Sequence, residues 1–379
     1  MNLALSDEQE FLREAARGTL SRFKTLEAAR EALDGNASAL PDLWPTAVQA
    51  GWPGLLIDEA HGGAGLDAFD AMLVMGECGR VLAAINLLGH LPASAILNDA
   101  GDGAPMLAEL ASGERRAAYL PVSPPDDFHP EWTVDPRHGL KRPNAPQASD
   151  KDGQVLVSGE LSFVPDAPGA DLLVGVAVRD GKPIGVAIEG SAAGVTVSPV
   201  ERYDATRSLG HVTLADAPAT VLGVSEESLA AAWYLSQALL AAESLGSVET
   251  ALDVSVAYAK ERFTFGRAIG SYQAIKHGLT EVLRQLENGR SLLYYAGWAR
   301  RGAPREFPLA ASAARSVGGK ALDEASRTMI SVHGGIGATW EHDAPLYFRR
   351  AQLSRRLLGG SSHATDRVAG ELLSAPQAA

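Results

Sequence analysis

Apolar residues recur at helical spacing along the first third of the chain. The residues of the first such face are Phe11, Leu12, Ala15, Ala16, Leu20 and Phe23. Ser6 is a favourable N-cap, and Gln9 three residues later completes a capping-box pattern. Similar spacing predicts further helices near residues 43–50, 69–82 and 104–111. The pattern therefore predicts an N-terminal helical domain over residues 1–120.

The pattern changes after residue 120. Seven prolines lie within residues 121–146, and they exclude a long helix or a central strand there. Short runs rich in β-branched residues follow, separated by Gly, Asp and Pro, at residues 155–157, 161–164, 172–178, 183–188, 195–197 and 211–214. These runs predict a small antiparallel sheet or β-barrel, which we place in a central domain over residues 121–223.

Helical spacing returns at Ser225, a favourable N-cap that is followed by two acidic residues. No proline interrupts residues 225–302, a length that suits two long antiparallel helices with a break near residues 267–271. One or two further helices are predicted after Pro308. We therefore predict a C-terminal helical bundle over residues 224–379 and an α+β fold for the whole chain.

Composition and charge narrow the classes of function. With 46% hydrophobic and 21% charged residues, the chain has enough apolar material to exclude global disorder. The formal net charge of −13 disfavours a nucleic-acid partner, and no uncharged run reaches the ~20 residues that a bilayer span needs. A single cysteine, Cys78, excludes an internal disulfide, and the first residues lack signal-peptide features. We expect a cytoplasmic protein that does not bind membranes.

Two motifs in the C-terminal third carry residues that suit a phosphate-bearing ligand. The run Arg-Phe-Thr-Phe-Gly-Arg at residues 262–267, with Gln273 beyond it, offers guanidinium donors, aromatic faces and close backbone approach. The run His-Gly-Gly-Ile-Gly at residues 333–337 marks a tight helix exit whose amides could meet a pyrophosphate. The alternative is a helix–helix corner with solvated arginines, followed by an ordinary turn. No His, Cys and Asp cluster has metal-ligand spacing, so we expect no metal.

The two motifs together resemble those of the acyl-CoA dehydrogenase family. The N-terminal part agrees in order and spacing, with Gly-Trp-x-Gly-Leu at residues 51–55, Gly-Gly-x-Gly at residues 62–65 and Leu-x-x-Leu-x-x-Gly-Glu-Arg at residues 107–115. The resemblance covers nearly the whole chain. It implies a helical domain, a β-barrel and a four-helix bundle, a flavin (FAD) between barrel and bundle, and a tetramer built as a dimer of dimers.

The resemblance also implies where this chain contacts FAD. In the family, the neighbouring subunit contributes such residues to the adenosine and pyrophosphate half of the cofactor. The matching positions here are Arg262, Phe265, Gln273, Ser331, Gly334, Gly335 and Gly337. Ser331 replaces the usual glutamine before the glycine turn.

The barrel-side half of the flavin site departs from the family pattern. The family's Thr-Glu-Pro and Gly-Ser-Asp motifs are expected near residues 125–150, where this chain has only Pro-Glu-Trp-Thr-Val-Asp-Pro and a proline-rich stretch. The strand expected over the flavin, at residues 158–164, lacks the usual tryptophan-x-threonine. The barrel-side half is therefore predicted to be degenerate, whereas the half donated to a neighbour is intact.

The catalytic base is not at either of the usual family positions. Desaturation of an acyl-CoA needs a carboxylate that removes a proton from the α-carbon. The loop at residues 358–361 holds no acid, and the alternative position on the first bundle helix is Ser236. Two turns beyond Ser236, Glu243 is the one charged residue within 228–248. We predict Glu243 as the candidate base; the alternative is a structural glutamate that is paired with an arginine or lies at a subunit contact.

Three hypotheses of function follow. The first, which we favour, is one subunit of a heteromeric dehydrogenase that desaturates a bulky, steroid-derived acyl-CoA, with a sister subunit completing the FAD site and an electron-transfer flavoprotein as acceptor. The second is a self-sufficient homotetrameric acyl-CoA dehydrogenase with Glu243 as base. The third is a non-catalytic subunit that serves assembly alone.

Overall fold

Helices flank a strand-rich middle region, as the sequence predicted. The computed structural model describes residues 4–101, 106–122, 124, 134–135, 140–141, 145–201 and 203–374. Its α-helices are α1 (Asp7–Leu20), α2 (Thr25–Leu33), α3 (Trp44–Gln49), α4 (Ala68–Arg80), α5 (Leu87–Ala100), α6 (Leu107–Ser112), α7 (Glu226–Glu261), α8 (Gln273–Gly302), α9 (Phe307–His333), α10 (Ala344–Ser354) and α11 (Gly360–Ser374). Its strands are β1 (Ala117–Leu120), β2 (Val134–Asp135), β3 (Leu140–Lys141), β4 (Gln147–Lys151), β5 (Gln154–Pro165), β6 (Leu172–Arg179), β7 (Lys182–Glu189), β8 (Val195–Pro199), β9 (Leu209–Leu222), β10 (Phe263–Thr264) and β11 (Arg267–Ala268).

Both predicted helix starts are confirmed. The amide of Gln9 donates to the Ser6 hydroxyl at 3.2 Å, and the Ser6 amide donates to the Gln9 side chain at 3.1 Å, which is a complete capping box. The Ser225 hydroxyl accepts the Ser228 amide at 3.1 Å at the start of α7. Caps of this kind satisfy amides that have no partner inside the helix, so they fix where each helix begins.

The central strands close into a barrel. Strands β4, β5, β9, β7 and β6 pair successively in antiparallel order, and one parallel pair between Gln147 of β4 and Val178 of β6 closes the ring. Alternate residues of β6 serve two cores: Leu173 and Ala177 point into the barrel, whereas Val174 and Val176 pack against the helices. Strand β1 pairs with β6 from before residue 120, so the sheet begins just inside the first predicted domain; the domain boundaries stay a prediction.

The C-terminal helices form the bundle that carries Glu243 and the two motifs predicted to contact FAD. Helices α7, α8, α9 and α11 pack together, and α4 crosses α7 at very short range. A Cβ added at Gly246 would lie 1.8 Å from the Gly76 carbonyl oxygen, and one at Gly79 would lie 1.9 Å from that of Glu243. Because only glycine permits this approach, the N-terminal helices are fixed against the middle of α7.

Candidate functional site

The first motif is a β-hairpin that projects from the end of α7. Strands β10 and β11 are joined by Phe265 and Gly266, whose φ angles of 53° and 79° are typical of a two-residue type I′ turn. The Tyr272 hydroxyl donates to the Thr264 carbonyl at 3.1 Å, and the Arg267 guanidinium lies 3.9 Å from the Tyr272 ring centroid. The hairpin backbone is therefore held by this chain itself.

The aromatic side chains of the hairpin face outward. Phe263 is 65% exposed and Phe265 is 92% exposed. Arg262, the C-cap of α7, is also exposed, and within the described residues no carboxylate lies within ion-pair distance of its guanidinium. Two exposed phenylalanine rings and an exposed guanidinium form a surface suited to a partner or ligand.

The glycine turn lies at the same end of the bundle as the hairpin. The Tyr258 ring, one turn before Arg262, packs on the His333 ring with centroids 4.3 Å apart. A Cβ at Gly278, early in α8, would lie 3.9 Å from Thr328 late in α9. Gln273 and Ser331 are exposed at this end as well. The structure thus places the hairpin, Gln273, Ser331 and the glycine turn at one end of the bundle.

The physical requirement for glycine differs between the three positions of the turn. Gly334 has a φ of 64°, which favours glycine, and a Cβ at Gly337 would lie 2.7 Å from the Ile330 carbonyl oxygen. Gly335 has a φ of −53°, and a Cβ there would meet no atom within 4 Å. This chain therefore supplies no steric reason for glycine at position 335, whereas close approach by an external group would supply one.

This donor set fits the adenosine and pyrophosphate half of a dinucleotide. The exposed guanidinium of Arg262 suits phosphate oxygens, the open space at Gly335 allows a phosphate to approach the backbone, and exposed phenylalanine faces suit a flat ring. The set extends from the chain's own surface, so it suits a ligand shared with another molecule. The assignment of these residues to FAD stays a prediction.

Glu243 lies elsewhere, buried in the middle of α7. It is 19 residues before Arg262 on the same helix, which places the two about 28 Å apart along the axis. Its carboxylate is 2% exposed and accepts hydrogen bonds from two arginines. Arg350 Nη1 donates to Oε1 at 2.8 Å, and Arg207 donates to Oε2. Glu243 and the dinucleotide-binding residues therefore do not form one site within this chain.

The two arginines tie Glu243 to the barrel and to α10. Arg350 also donates through Nε to Asp204 Oδ2 at 2.6 Å and through Nη2 to the Thr206 carbonyl at 3.3 Å. Burial lowers the pKa of Arg350, but the charges of Asp204 and Glu243 outweigh burial and raise this pKa above its usual value. Burial likewise opposes ionisation of Asp204, but Arg350 holds the pKa of that carboxyl below its usual value. These ion pairs join three separate elements of the chain.

These contacts favour the structural interpretation of Glu243. A carboxylate that already binds two guanidinium groups has no free oxygen directed toward a substrate, and losing its charge would leave both arginines buried with a weaker partner. Glu243 as a base stays a prediction. The sequence did not reveal its partners, because Arg207 and Arg350 are remote in the chain. The one usable signal was a lone acid on an apolar helix, because a buried carboxylate needs a cation as its partner.

The two usual base positions carry other contacts. The Ser236 hydroxyl donates to the Trp233 carbonyl at 2.6 Å. In the loop before α11, Leu358 has a φ of 50° and its carbonyl accepts from the Gln237 side chain at 2.8 Å. Neither position offers a group that removes a proton at neutral pH.

The barrel-side flavin motif lies mostly outside the described residues, which include only residues 134–135 of the run 130–136. On β5, Phe163 is partly exposed and packs edge-on against His211, with ring centroids 4.8 Å apart. Among the described residues, no group of three or more His, Cys, Asp or Glu is placed to hold a metal ion. In the same part of the chain, no helix has the length and apolar character to cross a membrane.

Comparison with known proteins agrees with this architecture. Family models described as the N-terminal and C-terminal domains of acyl-CoA dehydrogenase match residues 6–122 and 231–373. The chain is 30% identical to the acyl-CoA dehydrogenase IpdE2 of Mycolicibacterium smegmatis, over 97% of this chain and 100% of that protein. It is 33% identical to the acyl-CoA dehydrogenase FadE34 of Mycobacterium tuberculosis, over 97% of this chain and 48% of that protein.

Two solved structures share the fold. The ChsE4-ChsE5 complex from Mycobacterium tuberculosis has a TM-score of 0.86 at 23% identity, with 99% of this chain and 100% of that chain covered. The Tcur3481-Tcur3483 steroid acyl-CoA dehydrogenase has a TM-score of 0.83 at 26% identity, with 97% and 98% covered. Since the motifs, the fold and a full-length relative agree, the chain belongs to the acyl-CoA dehydrogenase family.

Proposed function

We propose that this chain is one subunit of a heteromeric, FAD-dependent acyl-CoA dehydrogenase that introduces an α,β double bond into a bulky, steroid-derived acyl-CoA. The observation that carries the proposal is an asymmetry. The surface that suits the adenosine and pyrophosphate half of FAD faces outward, whereas the acid predicted as base is held by two arginines. A sister subunit would then supply the isoalloxazine site and the base.

In this proposal the chain binds and orients but does not transfer the proton. FAD, when bound, supplies the acceptor for the hydride that leaves the β-carbon. Arg262 neutralises phosphate charge, the open backbone at Gly335 admits the pyrophosphate, and Phe265 covers a face of the adenosine. The ion pairs of Glu243 keep α7, and thus the base of the hairpin, fixed against the barrel.

Relatives support the two-subunit arrangement and the substrate class. One similar structure is a steroid acyl-CoA dehydrogenase named for two proteins, and another is a complex of two proteins. We infer that a steroid-derived CoA thioester is the substrate and that an electron-transfer flavoprotein reoxidises the flavin. We place the assembly in the cytoplasm.

Co-purification tests the proposal directly. We expect the chain alone to be colourless and to gain flavin absorbance near 450 nm (roughly, for an oxidised flavin) only with a sister chain of the same family. A chain that is fully flavinylated and active alone would favour the homotetramer with Glu243 as base. An active complex whose flavin content does not depend on this chain would favour a purely assembling role.

Arg262→Ala sharpens the test. We expect the complex to lose flavin during gel filtration, since the phosphate loses a charged, bidentate partner. Arg284→Ala is the matched control, because Arg284 is an exposed arginine of α8 that pairs with Glu281 on the same helix. Equal flavin retention in the two variants would refute the proposed contact.

A further inference from the structure

Three aromatic rings lie in a continuous stack beneath the glycine turn. The His333 ring centroid is 4.3 Å from that of Tyr258 and 4.0 Å from that of His342, with interplanar angles of 32° and 41°. His333 is 5% exposed, and the rings beside it are half-buried. Stacks at such distances stabilise the relative position of the elements that carry them.

Each ring belongs to a different segment. Tyr258 is in the last turn of α7, His333 ends α9, and His342 precedes α10. The backbone fixes both imidazoles: His333 Nδ1 lies 2.7 Å from the Met329 carbonyl oxygen, to which it donates, and His342 Nδ1 accepts the Ala344 amide at 3.0 Å. The hydrogen bonds thus define one tautomer for each neutral ring.

The stack lies between the two motifs that are predicted to bind the dinucleotide. The carbonyl of Tyr258 accepts the Arg262 amide at 2.9 Å, so this ring is one turn from the hairpin. His333 is bonded directly to Gly334, the first glycine of the turn. Any shift between Tyr258 and His333 would therefore change the distance between the hairpin and the glycine turn.

We propose that Tyr258, His333 and His342 are positioning residues. They hold the hairpin and the glycine turn at a fixed relative position, so that both can contact one dinucleotide. The proposal rests on the proposed function, since it assigns a role to residues that lie beneath the same FAD-binding surface. These rings act through the backbone of the two motifs and not through contact with the reacting atoms.

The charges around His342 give the proposal a measurable signature. His342 faces His333 of α9, the neighbouring Asp343 and Arg30 of α2, and it lies at the positive end of α10. Burial, followed by the nearby His333, lowers the pKa of His342 below its usual 6.5, although Asp343 acts in the opposite direction. A proton on His342 is thus bound more weakly in the folded chain than in the unfolded one.

The sign of the pH effect follows. A histidine with a lowered pKa contributes fully to stability above its unfolded pKa, near 6.5, and this contribution is lost as the pH falls below that value. The charged ring then lies against a second imidazole and close to Arg30. We therefore expect the hairpin and the glycine turn to be held less firmly at pH 5.5 than at pH 8, and flavin to dissociate faster at pH 5.5.

The test compares His342→Phe with His342→Ala in the complex with the sister chain. Phenylalanine keeps a ring in the stack and cannot be protonated, whereas alanine removes the ring. We measure the flavin retained after gel filtration at pH 8 and pH 5.5. Wild type should lose flavin roughly three- to tenfold faster at pH 5.5, His342→Phe should retain it equally at both, and His342→Ala should lose it quickly at both. Trp298→Ala, which removes a ring from the stack with Tyr295 at the far end of α8, should match wild type.

Two outcomes would overturn the inference. One is wild-type retention in His342→Ala; the other is a loss at pH 5.5 in His342→Phe as large as in wild type. If His342→Ala retains flavin but Arg262→Ala loses it, only the positioning role fails. If Arg262→Ala also retains flavin, the proposed function fails as well. A second measurement needs no flavin: in the chain alone, amide exchange of residues 334–338 should be faster in His342→Ala than in His342→Phe, and equal exchange would contradict the positioning role.

Discussion

The buried middle of α7 and the exposed end of the bundle are built in opposite ways. In the middle, Glu243, Arg350 and Asp204 pair with one another inside the chain. At the end, the charge of Arg262 and the ring of Phe265 face outward. Contacts within this chain explain the first region, whereas we propose that the second contacts a ligand and a partner outside it.

Loss of function and loss of fold should therefore follow from changes in different regions. Changes among the buried ion pairs remove interactions on which the fold depends, so they should lower the free energy of unfolding. Changes to the outward-facing side chains of Arg262 and Phe265 remove nothing that the isolated chain uses, so they should alter only association and flavin retention.

The largest effect is expected from Arg350→Met. Methionine leaves Asp204 and Glu243 buried without their shared cation, a loss that typically costs about 3–5 kcal/mol. Urea denaturation of the chain alone measures it. Arg284→Met, which breaks an exposed pair, should change stability by less than about 1 kcal/mol. Comparable losses in the two variants would show that the buried pairs carry no special weight.

Glu243→Gln tests the remaining question about Glu243. As an ion-pair partner, it should cost about 3 kcal/mol of stability, because Arg207 keeps no buried carboxylate on this helix and Arg350 keeps only Asp204. As a base, it should abolish turnover of the complex and leave the denaturation midpoint in place. Measuring both quantities on one preparation decides between the two roles.

How much of this could be predicted from sequence depends on how local the signal is. The caps at Ser6 and Ser225, the predicted strand runs and the break between α7 and α8 come from neighbouring residues, and all are confirmed, whereas strands β1 and β4 were not predicted. Helix α5 was not predicted, because it is buried on nearly every side and contains Pro92, so it shows no polar face. Two predicted runs, 155–157 and 161–164, form one strand, β5, with irregular register against β9.

The ion pairs of Glu243 show more clearly what the sequence could not predict. The sequence showed that Glu243 is the one charged residue within 228–248, but it did not show that two guanidinium groups lie against it. Arg207 and Arg350 reach this helix from the end of the barrel and from α10, and only tertiary packing brings them there. The hairpin and glycine turn were identified because each motif is contiguous in sequence.

A smaller effect is expected within the glycine turn. Gly337→Ala places a Cβ 2.7 Å from the Ile330 carbonyl oxygen and 2.9 Å from His333 Cβ, so it should destabilise the chain by about 1–3 kcal/mol. Gly335→Ala meets no atom of this chain, and its helical φ suits alanine, so stability should not fall. Only flavin retention should decrease in Gly335→Ala. Full retention there would mean that nothing approaches position 335.

A pH-dependent effect is expected at Asp166. Burial raises the pKa of this carboxyl from 3.8 to about 7, although the Gly89 amide, which donates to it at 2.7 Å, acts to lower it. Because the folded state holds the proton more tightly, stability should fall as the pH rises from about 4 to about 7. Asp166→Asn removes that loss, so it should gain up to about 4 kcal/mol at pH 8, where the full rise in pKa applies, and about 1–2 kcal/mol at pH 5. A gain that is equal at both pH values would contradict the raised pKa.

The smallest effect on the fold, and the one that most sharply defines the comparison, is expected from Phe265→Ala. The ring is 92% exposed, so its removal should change the free energy of unfolding by less than about 0.5 kcal/mol. Phe11→Ala is a matched control, since Phe11 is 73% exposed on α1, and it should alter neither stability nor association. If Phe265 is buried on assembly, its loss removes about 1.5–3 kcal/mol of apolar burial, or roughly ten- to hundredfold in affinity for the flavin-loaded sister chain. Sedimentation with that chain measures the affinity, and unchanged association would mean that the hairpin tip stays in solvent.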